Sequence, residues 1–144
     1  MEFLFKTFDE LSAHEVYEIL KARAKVFVNE QKIVYVDEDN VDKKALHLYL
    51  WDNGEILAYM RAFLENDKKA VKIGRVLTVC HGKGLGRELL EKGIPAIKKH
   101  FFCNKIYMDS QKSVVGFYEK FGFKVTSDEF LEEGIVHVKM EKEV

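Results

Sequence analysis

Apolar and polar residues in the first 44 positions follow a pattern that predicts a strand, a helix and then a loop. Residues 2–8 form the expected first strand. Ser12 and Glu15 have the spacing of a capping box, in which two side chains satisfy the free N–H groups at the start of a helix. Apolar residues then recur at helical spacing: Val16, Ile19, Leu20, Ala24 and Phe27. Residues 37–44 are polar and acidic, and they predict a loop.

Residues 45–79 predict three consecutive strands. The first two, residues 45–51 and 55–64, are separated by Asn53-Gly54, which is a strong hairpin signal. A second turn is expected at residues 66–69, and it leads into a strand at residues 70–79.

Helices and strands alternate in the second half of the chain. Residues 85–100 predict a long helix, which Pro95 is expected to kink or interrupt because its ring removes an N–H donor and clashes with the preceding turn. A strand near residues 105–109 and a short helix near residues 113–121 follow. Two more strands are expected near residues 123–126 and 135–141. This order of elements predicts one mixed α/β domain over residues 1–144.

Composition narrows the possible function classes. The net charge of −1 argues against a protein that binds nucleic acid by neutralising its phosphates. No apolar run approaches the ~20 residues of a membrane span, and the N-terminus lacks the pattern of a secretion signal. We therefore expect a cytoplasmic protein that contacts neither nucleic acid nor membrane.

Two cysteines, Cys80 and Cys103, are too few for a disulfide framework, and we expect both to be free thiols. Together with His81 and His100 they supply residue types that bind zinc. However, adjacent residues of a strand point apart, and no C-x-x-C pair is present, so we expect no metal site.

The richest chemical signal is a glycine loop between the strand at residues 70–79 and the following helix. Gly82, Gly84 and Gly86 let backbone N–H groups approach an anion, and Lys83 and Arg87 add positive charge beside them. The loop therefore predicts a site for a phosphate-bearing small molecule.

Three kinds of glycine loop are compatible to different degrees with this sequence. A P-loop requires Gly-Lys-Ser/Thr at a spacing that is absent here. A dinucleotide-binding loop requires a third glycine where Leu89 stands, although Asp109 lies at a suitable distance for the acidic partner. The third kind, [Q/R]-x-x-G-x-[G/A], holds the pyrophosphate of coenzyme A; Gly84 and Gly86 fit it, and His81 replaces the usual Gln or Arg.

A second motif follows the strand at residues 105–109. Gln111, the pair Phe117-Tyr118 and the pair Gly122-Phe123 resemble the second signature of the GNAT superfamily of acyl-CoA-dependent N-acetyltransferases. The two signatures occur in the family's order. Further stretches resemble the ElaA-type branch, so that the similarity covers nearly the whole chain: residues 23–31, 35–39, 47–48 and 133–140.

This resemblance implies a fold and a reaction. The fold would be a mostly antiparallel sheet flanked by helices, with two central strands splayed apart to form a cleft for coenzyme A. The reaction would be direct attack of an amine on the thioester of acetyl-CoA, with no metal. The acceptor would be a small-molecule or peptide amine, and a homodimer is a candidate assembly. A non-catalytic acyl-CoA-binding or regulatory module on the same fold is the main alternative.

The resemblance also assigns residues to roles. Eleven residues are expected to contact coenzyme A: Leu77, Thr78, Val79, Gly82, Lys83, Gly84, Leu85, Gly86, Arg87, Gln111 and Tyr118. Tyr118 would in addition protonate the departing thiolate, although its spacing from Phe117 and Phe121 also fits an ordinary core aromatic residue.

Acceptor-side residues are less well determined by the sequence. His47 is the expected general base, and His137 is a second candidate that would also contact the acceptor, because histidine titrates near neutrality. Four acidic residues are alternative bases: Glu30, Asp39, Asp42 and Glu133. Glu30 and Arg61 are expected to bind the acceptor. Arg61 and Arg23 fit either an acceptor carboxylate or structural ion pairs.

Overall fold

The computed structural model describes residues 1–65 and 70–144. Within them the elements are β1 (Glu2–Thr7), α1 (Ala13–Arg23), β2 (Leu46–Asp52), β3 (Glu55–Leu64), β4 (Ala70–Thr78), α2 (Leu85–Phe101), β5 (Lys105–Gln111), α3 (Val115–Glu119), β6 (Lys124–Val125), β7 (Phe130–Glu132) and β8 (Ile135–Glu143). A π-helical segment, Ala24–Glu30, continues α1. Short 3-10 turns occupy Phe8–Glu10, Asn40–Lys43 and Lys112–Val114.

One mixed sheet organises the described residues. Its strand order is β1-β2-β3-β4-β5-β8-β6, and β7 also pairs with β8. The pairing is antiparallel everywhere except between β4 and β5, which run parallel. These observations confirm the predicted mixed α/β fold with a mostly antiparallel sheet.

The parallel strands β4 and β5 separate soon after they meet. Their register pairs Ala70–Lys72 with Lys105–Tyr107, and the described residues show no pairing beyond this point. Both strands nevertheless continue, β4 to Thr78 and β5 to Gln111. The predicted splay is therefore present, and it opens a cleft in the middle of the sheet.

Helices cover the two faces of the sheet with separate apolar clusters. The face under α2 buries Leu48, Met60 and Leu89. Gly93 allows α2 to lie close to the sheet, because a Cβ atom there would collide with Met60. The opposite face, under α1, buries Ile19 and Tyr59. Residues that point to opposite faces thus belong to different cores.

The first helix is shorter than its apolar pattern predicts. The α-helix ends at Arg23, and the following segment is π-helical, with the N–H of Gln31 bonded to the carbonyl of Val26. Phe27 is buried as expected, but Ala24 is exposed. The reason is geometric: hydrogen bonds in a π-helix span five residues, so the 3.6-residue spacing no longer predicts which side chains share a face.

The long helix continues through Pro95 to Phe101, so the expected interruption is absent. The proline removes the N–H that would bond the carbonyl of Glu91. Both Pro95 and Glu91 are exposed, and water can satisfy that carbonyl. No helix among the described residues is long and apolar enough to cross a membrane.

The sequence pattern did not predict the hairpin formed by β7 and β8. Strand β7 pairs with β8 across Glu133 and Gly134, which have φ values of 50° and 74°. Positive φ at both central residues is typical of a type I′ turn, yet Glu-Gly is a weaker sequence signal than Asn-Gly. The turn predicted at residues 66–69 lies outside the described residues.

Candidate active site

A cleft of about 730 Å³ opens between the splayed strands. Its walls are β4, the glycine loop, the first turn of α2, the end of β5, α3 and the β7–β8 hairpin. The topology therefore brings both sequence signatures to one cavity.

The glycine loop presents backbone donors to this cleft. Gly82 and Gly84 have φ values of 76° and 69°, a conformation that favours glycine, and no atom lies within 4 Å of where their Cβ atoms would be. Since the helical bonds of α2 begin with the N–H of Glu88 on the carbonyl of Gly84 (3.1 Å), the N–H groups of residues 85–87 have no helical acceptor. Together with the exposed Lys83 they make an arrangement that suits an anion at a helix N-terminus.

A β-bulge controls which groups of β4 face the cleft. Tyr59 and Arg61, two residues apart on β3, pair with Leu77 and Gly74, which are three residues apart on β4. Strand β4 therefore contains one extra residue, which reverses its alternation from that point on. The N–H of Val79 bonds the carbonyl of Leu57 on the β3 side (2.9 Å).

That bond fixes the direction of the neighbouring peptide group. The N–H groups of a strand alternate between its two edges. Because Val79 points to β3, the N–H and C=O of Thr78 point to the opposite edge, where β5 has separated. The upper half of β4 thus offers the cleft a backbone donor and acceptor that no neighbouring strand uses.

Tyr118 lies at the inner wall of the cleft, with 7% of its surface exposed. Its ring packs edge-on against Phe117 and Phe123, with centroid distances of 5.2 and 6.0 Å. Burial raises the pKa of Tyr118, and no described residue hydrogen-bonds its hydroxyl. The side chain is therefore both a core aromatic residue and a protonated phenol available as a donor.

His137 faces the same cleft from β8. Its Nδ1 bonds the carbonyl of Ile135 (2.7 Å), and its ring stacks on Phe130 at 6.0 Å. A carbonyl only accepts, so the proton sits on Nδ1 and Nε2 carries the lone pair. Nε2 lies 3.5 Å from a carboxylate oxygen of Glu132. His137 and Glu132 thus form a close pair at the wall of the cleft.

Three arginines and three aspartates form a closed ring of alternating charge, here called the Arg–Asp ring, and two of its members, Arg61 and Arg75, line the cleft. Arg23 contacts Asp37 and Asp42 at 2.8 and 2.7 Å. Arg61 contacts Asp42 and Asp39 at 2.8 and 2.6 Å. Arg75 closes the ring with Asp37 and Asp39, at 3.1 and 3.6 Å. The ring ties α1, β3 and β4 to the acidic loop predicted at residues 37–44.

Comparison with known proteins agrees with this geometry. Residues 9–144 match the family described as an Acetyltransferase (GNAT) domain. The chain belongs to the GNAT family. Protein ElaA of Escherichia coli is 33% identical over 94% of this chain and 92% of its own, and its crystal structure has a TM-score of 0.91, with 98% of each chain covered. The predicted ElaA-type branch is thus confirmed.

Two further relatives extend the comparison. A UPF0039 protein of Schizosaccharomyces pombe is 38% identical over 100% of this chain and 98% of its own. The crystal structure of an acyl-CoA N-acyltransferase from Pseudomonas aeruginosa has a TM-score of 0.92 and 30% identity, with 99% of each chain covered. The fold is therefore the GNAT acyltransferase fold, over essentially the full length of these relatives.

Most of the residues expected to contact coenzyme A line the cleft of this GNAT domain. They are Leu77, Thr78, Gly82, Lys83, Gly84, Leu85, Gly86, Arg87, Gln111 and Tyr118. Val79 is the exception, because its N–H is bonded to Leu57 and its side chain packs in the α1-side cluster. Gly86 is close to Phe117: a Cβ there would lie 3.1 Å from the Phe117 ring, so this glycine also serves packing.

The structure corrects the expected role of His47. The residue is 2% exposed and is not part of the cleft wall. Its Nε2 donates to the carbonyl of Asp42 (2.9 Å), so its Nδ1 accepts from the hydroxyl of Tyr59 (2.7 Å). Burial lowers the pKa of His47. Both ring nitrogens are thus occupied in the neutral form, and the group has no lone pair to offer a substrate.

Other acceptor-side predictions also change. Glu30 is exposed outside the cleft wall; its neighbour Gln31 lines the cleft instead and accepts a hydrogen bond from Gln111 (3.0 Å). Arg61 does line the cleft, but its two terminal nitrogens bond Asp39 and Asp42.

Arg23 is fully buried in the Arg–Asp ring, so the ion-pair interpretation holds for it and for Arg61. Asp39 and Asp42 are acceptors within the same ring and are not free to act as bases. Glu133 lines the cleft and stays a candidate, and Glu132 beside it was missed by sequence reasoning. The only signal for Glu132 was its place before the unrecognised Glu-Gly turn.

Proposed function

We propose that this GNAT chain is an N-acetyltransferase that moves the acetyl group of acetyl-CoA to an amine by direct attack on the thioester. The observation that carries the proposal is the unpartnered, protonated hydroxyl of Tyr118 inside the cleft. A module that only bound acyl-CoA would not need a proton donor there.

The residues present fit acetyl-CoA. The free N–H groups at the start of α2, the two left-handed glycines and Lys83 suit a pyrophosphate. The unused N–H and C=O of Thr78 suit an amide-bearing chain lying along β4. When bound, acetyl-CoA supplies an activated acyl carbon and a thiolate leaving group.

Three groups of the chain would then handle protons and charge. His137 accepts a proton from the ammonium form of the acceptor at Nε2, and Glu132 stabilises the resulting imidazolium. The N–H of Thr78 donates toward the cleft where negative charge develops on the acyl oxygen, an interaction of the kind typically worth ~3 kcal/mol. Tyr118 donates its proton to the departing sulfur as the C–S bond breaks, and its phenolate regains a proton from the one that the attacking nitrogen loses when it becomes the amide nitrogen.

Turnover with a panel of amines tests the proposal. The panel contains small amines, free amino acids and peptides with free N-termini, and release of the coenzyme A thiol is measured. With an active acceptor, Tyr118→Phe should lower kcat by ~10²–10⁴-fold, the usual contribution of general acid catalysis, while the Kd for acetyl-CoA from calorimetry changes little. Tyr17→Phe is the matched control, because Tyr17 is 65% exposed on α1.

Product release can hide a chemical step, so the same variants are compared in a single turnover. A folded Tyr118→Phe protein with the full single-turnover rate would remove this residue from the mechanism. Tight acetyl-CoA binding without thiol release from any amine would instead favour the non-catalytic acyl-CoA-binding module.

A further inference from the structure

Arg75 has a left-handed backbone in the middle of a strand. Its φ is 52°, and it lies at the β4 bulge, directly after Gly74. A residue with a Cβ atom disfavours this conformation. Such strain persists only where the surroundings hold it in place.

Contacts of the Arg75 side chain hold this strained backbone conformation in place. Nε and Nη2 donate to the carboxylate and to the backbone carbonyl of Asp37, both at 3.1 Å. The guanidinium also lies over the ring of Tyr35, at 4.9 Å from its centroid. Two hydrogen bonds and a stacked aromatic ring therefore hold the guanidinium of Arg75 in place. The planar donor geometry of a guanidinium favours this arrangement.

Asp37, the residue that Arg75 contacts, is itself held in place by burial and by other hydrogen bonds. Only 7% of its surface is exposed, and its carboxylate also accepts from Arg23 at 2.8 Å and from the hydroxyl of Tyr35 at 2.5 Å. Through the Arg–Asp ring, Asp37 is tied to the rest of α1 and β3. The bulge is thus attached to the acidic loop at residues 37–44.

The bulge has a direct consequence for the cleft. Without the extra residue, strand alternation would turn the N–H of Thr78 toward β3 and the N–H of its neighbour toward the cleft. We infer that Asp37 and Arg75 are positioning residues: their contact holds the strained bulge, and the bulge aims the peptide groups of β4 at the cleft. The kinetic part of this inference rests on the proposed function; the structural part does not.

Two substitutions of Arg75 separate backbone positioning from a direct role of the guanidinium. Arg75→Ala removes the contacts of the guanidinium with Asp37 and Tyr35, but it keeps a residue with a Cβ atom at the disfavoured positive φ. Arg75→Gly removes the same contacts, but glycine adopts positive φ at no steric cost. Positioning therefore predicts that Ala damages the bulge and that Gly largely preserves it.

The first measurement is amide hydrogen exchange in the ligand-free protein. The amide of Val79, bonded to Leu57 across the bulged pair, should exchange about tenfold faster in Arg75→Ala, roughly the factor by which a left-handed backbone disfavours alanine relative to glycine. In Arg75→Gly it should stay within about threefold of wild type. Wild-type exchange in Arg75→Ala would overturn the inference.

The second measurement is the single-turnover rate with an acceptor identified in the amine panel. This rate should fall about tenfold in Arg75→Ala and much less in Arg75→Gly. Equal losses in both variants would show that the guanidinium itself acts, and would overturn positioning. Asp37→Asn, which weakens the contact between Asp37 and Arg75, should resemble Arg75→Ala. Wild-type exchange of the Val79 amide in that variant would remove Asp37 from the inference. If the wild-type protein turns over no amine, the proposed function fails while the exchange data still decide the inference.

Discussion

The two sides of the cleft are stabilised by opposite means. On the glycine-loop side, backbone N–H groups without helical acceptors and positive-φ glycines line the cavity. On the other side, the Arg–Asp ring pairs three positive with three negative side chains, and all of them except Asp39 and Arg75 are buried. The first side suits a ligand that brings its own charge. The second is electrically balanced before any ligand arrives.

Ionisation in the ring follows from its geometry. Burial opposes the charge on Asp42, yet hydrogen bonds and charge from Arg23 and Arg61 outweigh it and lower the pKa of this carboxyl. Asp39 shows the same balance with Arg61 as its main partner, and its pKa is also lowered. For Arg23, burial is again the opposing cause, and Asp42 and Asp37 raise its pKa. Arg23, Asp39 and Asp42 thus stay charged near neutral pH, and we expect recognition of an acceptor to depend on cleft residues outside the ring, such as Glu132, Glu133 and His137.

The largest expected effect comes from breaking the ring at its most buried member. Arg23→Ala leaves Asp37 and Asp42 without their shared partner, and removing one partner of a buried ion pair typically costs ~3–5 kcal/mol. Urea unfolding should show this loss in the free energy of unfolding. Arg87→Ala is the control on the other side of the cleft: its pair with Glu91 is exposed, and such pairs contribute ~0–1 kcal/mol. Similar costs for the two variants would refute the contrast between the two sides.

Sequence patterns predicted the glycine-loop side well because its determinants are local. Strand, glycines and helix follow one another along the chain, and the splay and the cleft follow from the resemblance to the GNAT family. Tyr118 belongs to a contiguous motif as well, and the structure places it in the same cavity.

The opposite side was harder to predict because its determinants are distant in sequence. The ring joins Arg23, Asp37 and Arg61, which no local spacing relates. His47 looked like a base in isolation, and only its bonds to Tyr59 and Asp42 show that it is saturated. The β4 bulge had no sequence signal, since it adds an arginine in a conformation that glycine usually supplies.

A smaller effect is expected from straining the glycine-loop side. Gly84→Val places a β-branched residue at a φ of 69°, and the left-handed conformation costs a residue with a Cβ roughly 1–2 kcal/mol. The Kd for coenzyme A from calorimetry should therefore weaken by roughly five- to thirtyfold. Gly84→Asn should weaken it less, because asparagine tolerates this region better. Equal losses would mean that side-chain bulk matters rather than backbone conformation.

The smallest expected effect is a pH dependence of stability that His47 adds beside the ring. Burial lowers the pKa of His47 below its ordinary value of 6.5, so the folded protein keeps it neutral while the unfolded chain takes up a proton below that pH. Its contribution to stability is complete above pH 6.5 and is lost as the pH falls from there through the lowered pKa.

Thermal unfolding of the wild type and of His47→Gln checks this sign. Glutamine keeps a donor for the carbonyl of Asp42 and does not titrate. Between about pH 7.5 and about pH 5, where histidine is the main titrating side chain, the wild-type Tm should fall more steeply than that of the variant. Asp39 and Asp42 do not confuse the comparison, because their lowered pKa values place their titration below 3.8. Parallel curves over this range would mean that folded His47 takes up a proton as readily as the unfolded chain does, and its place as a saturated structural residue would have to be given up.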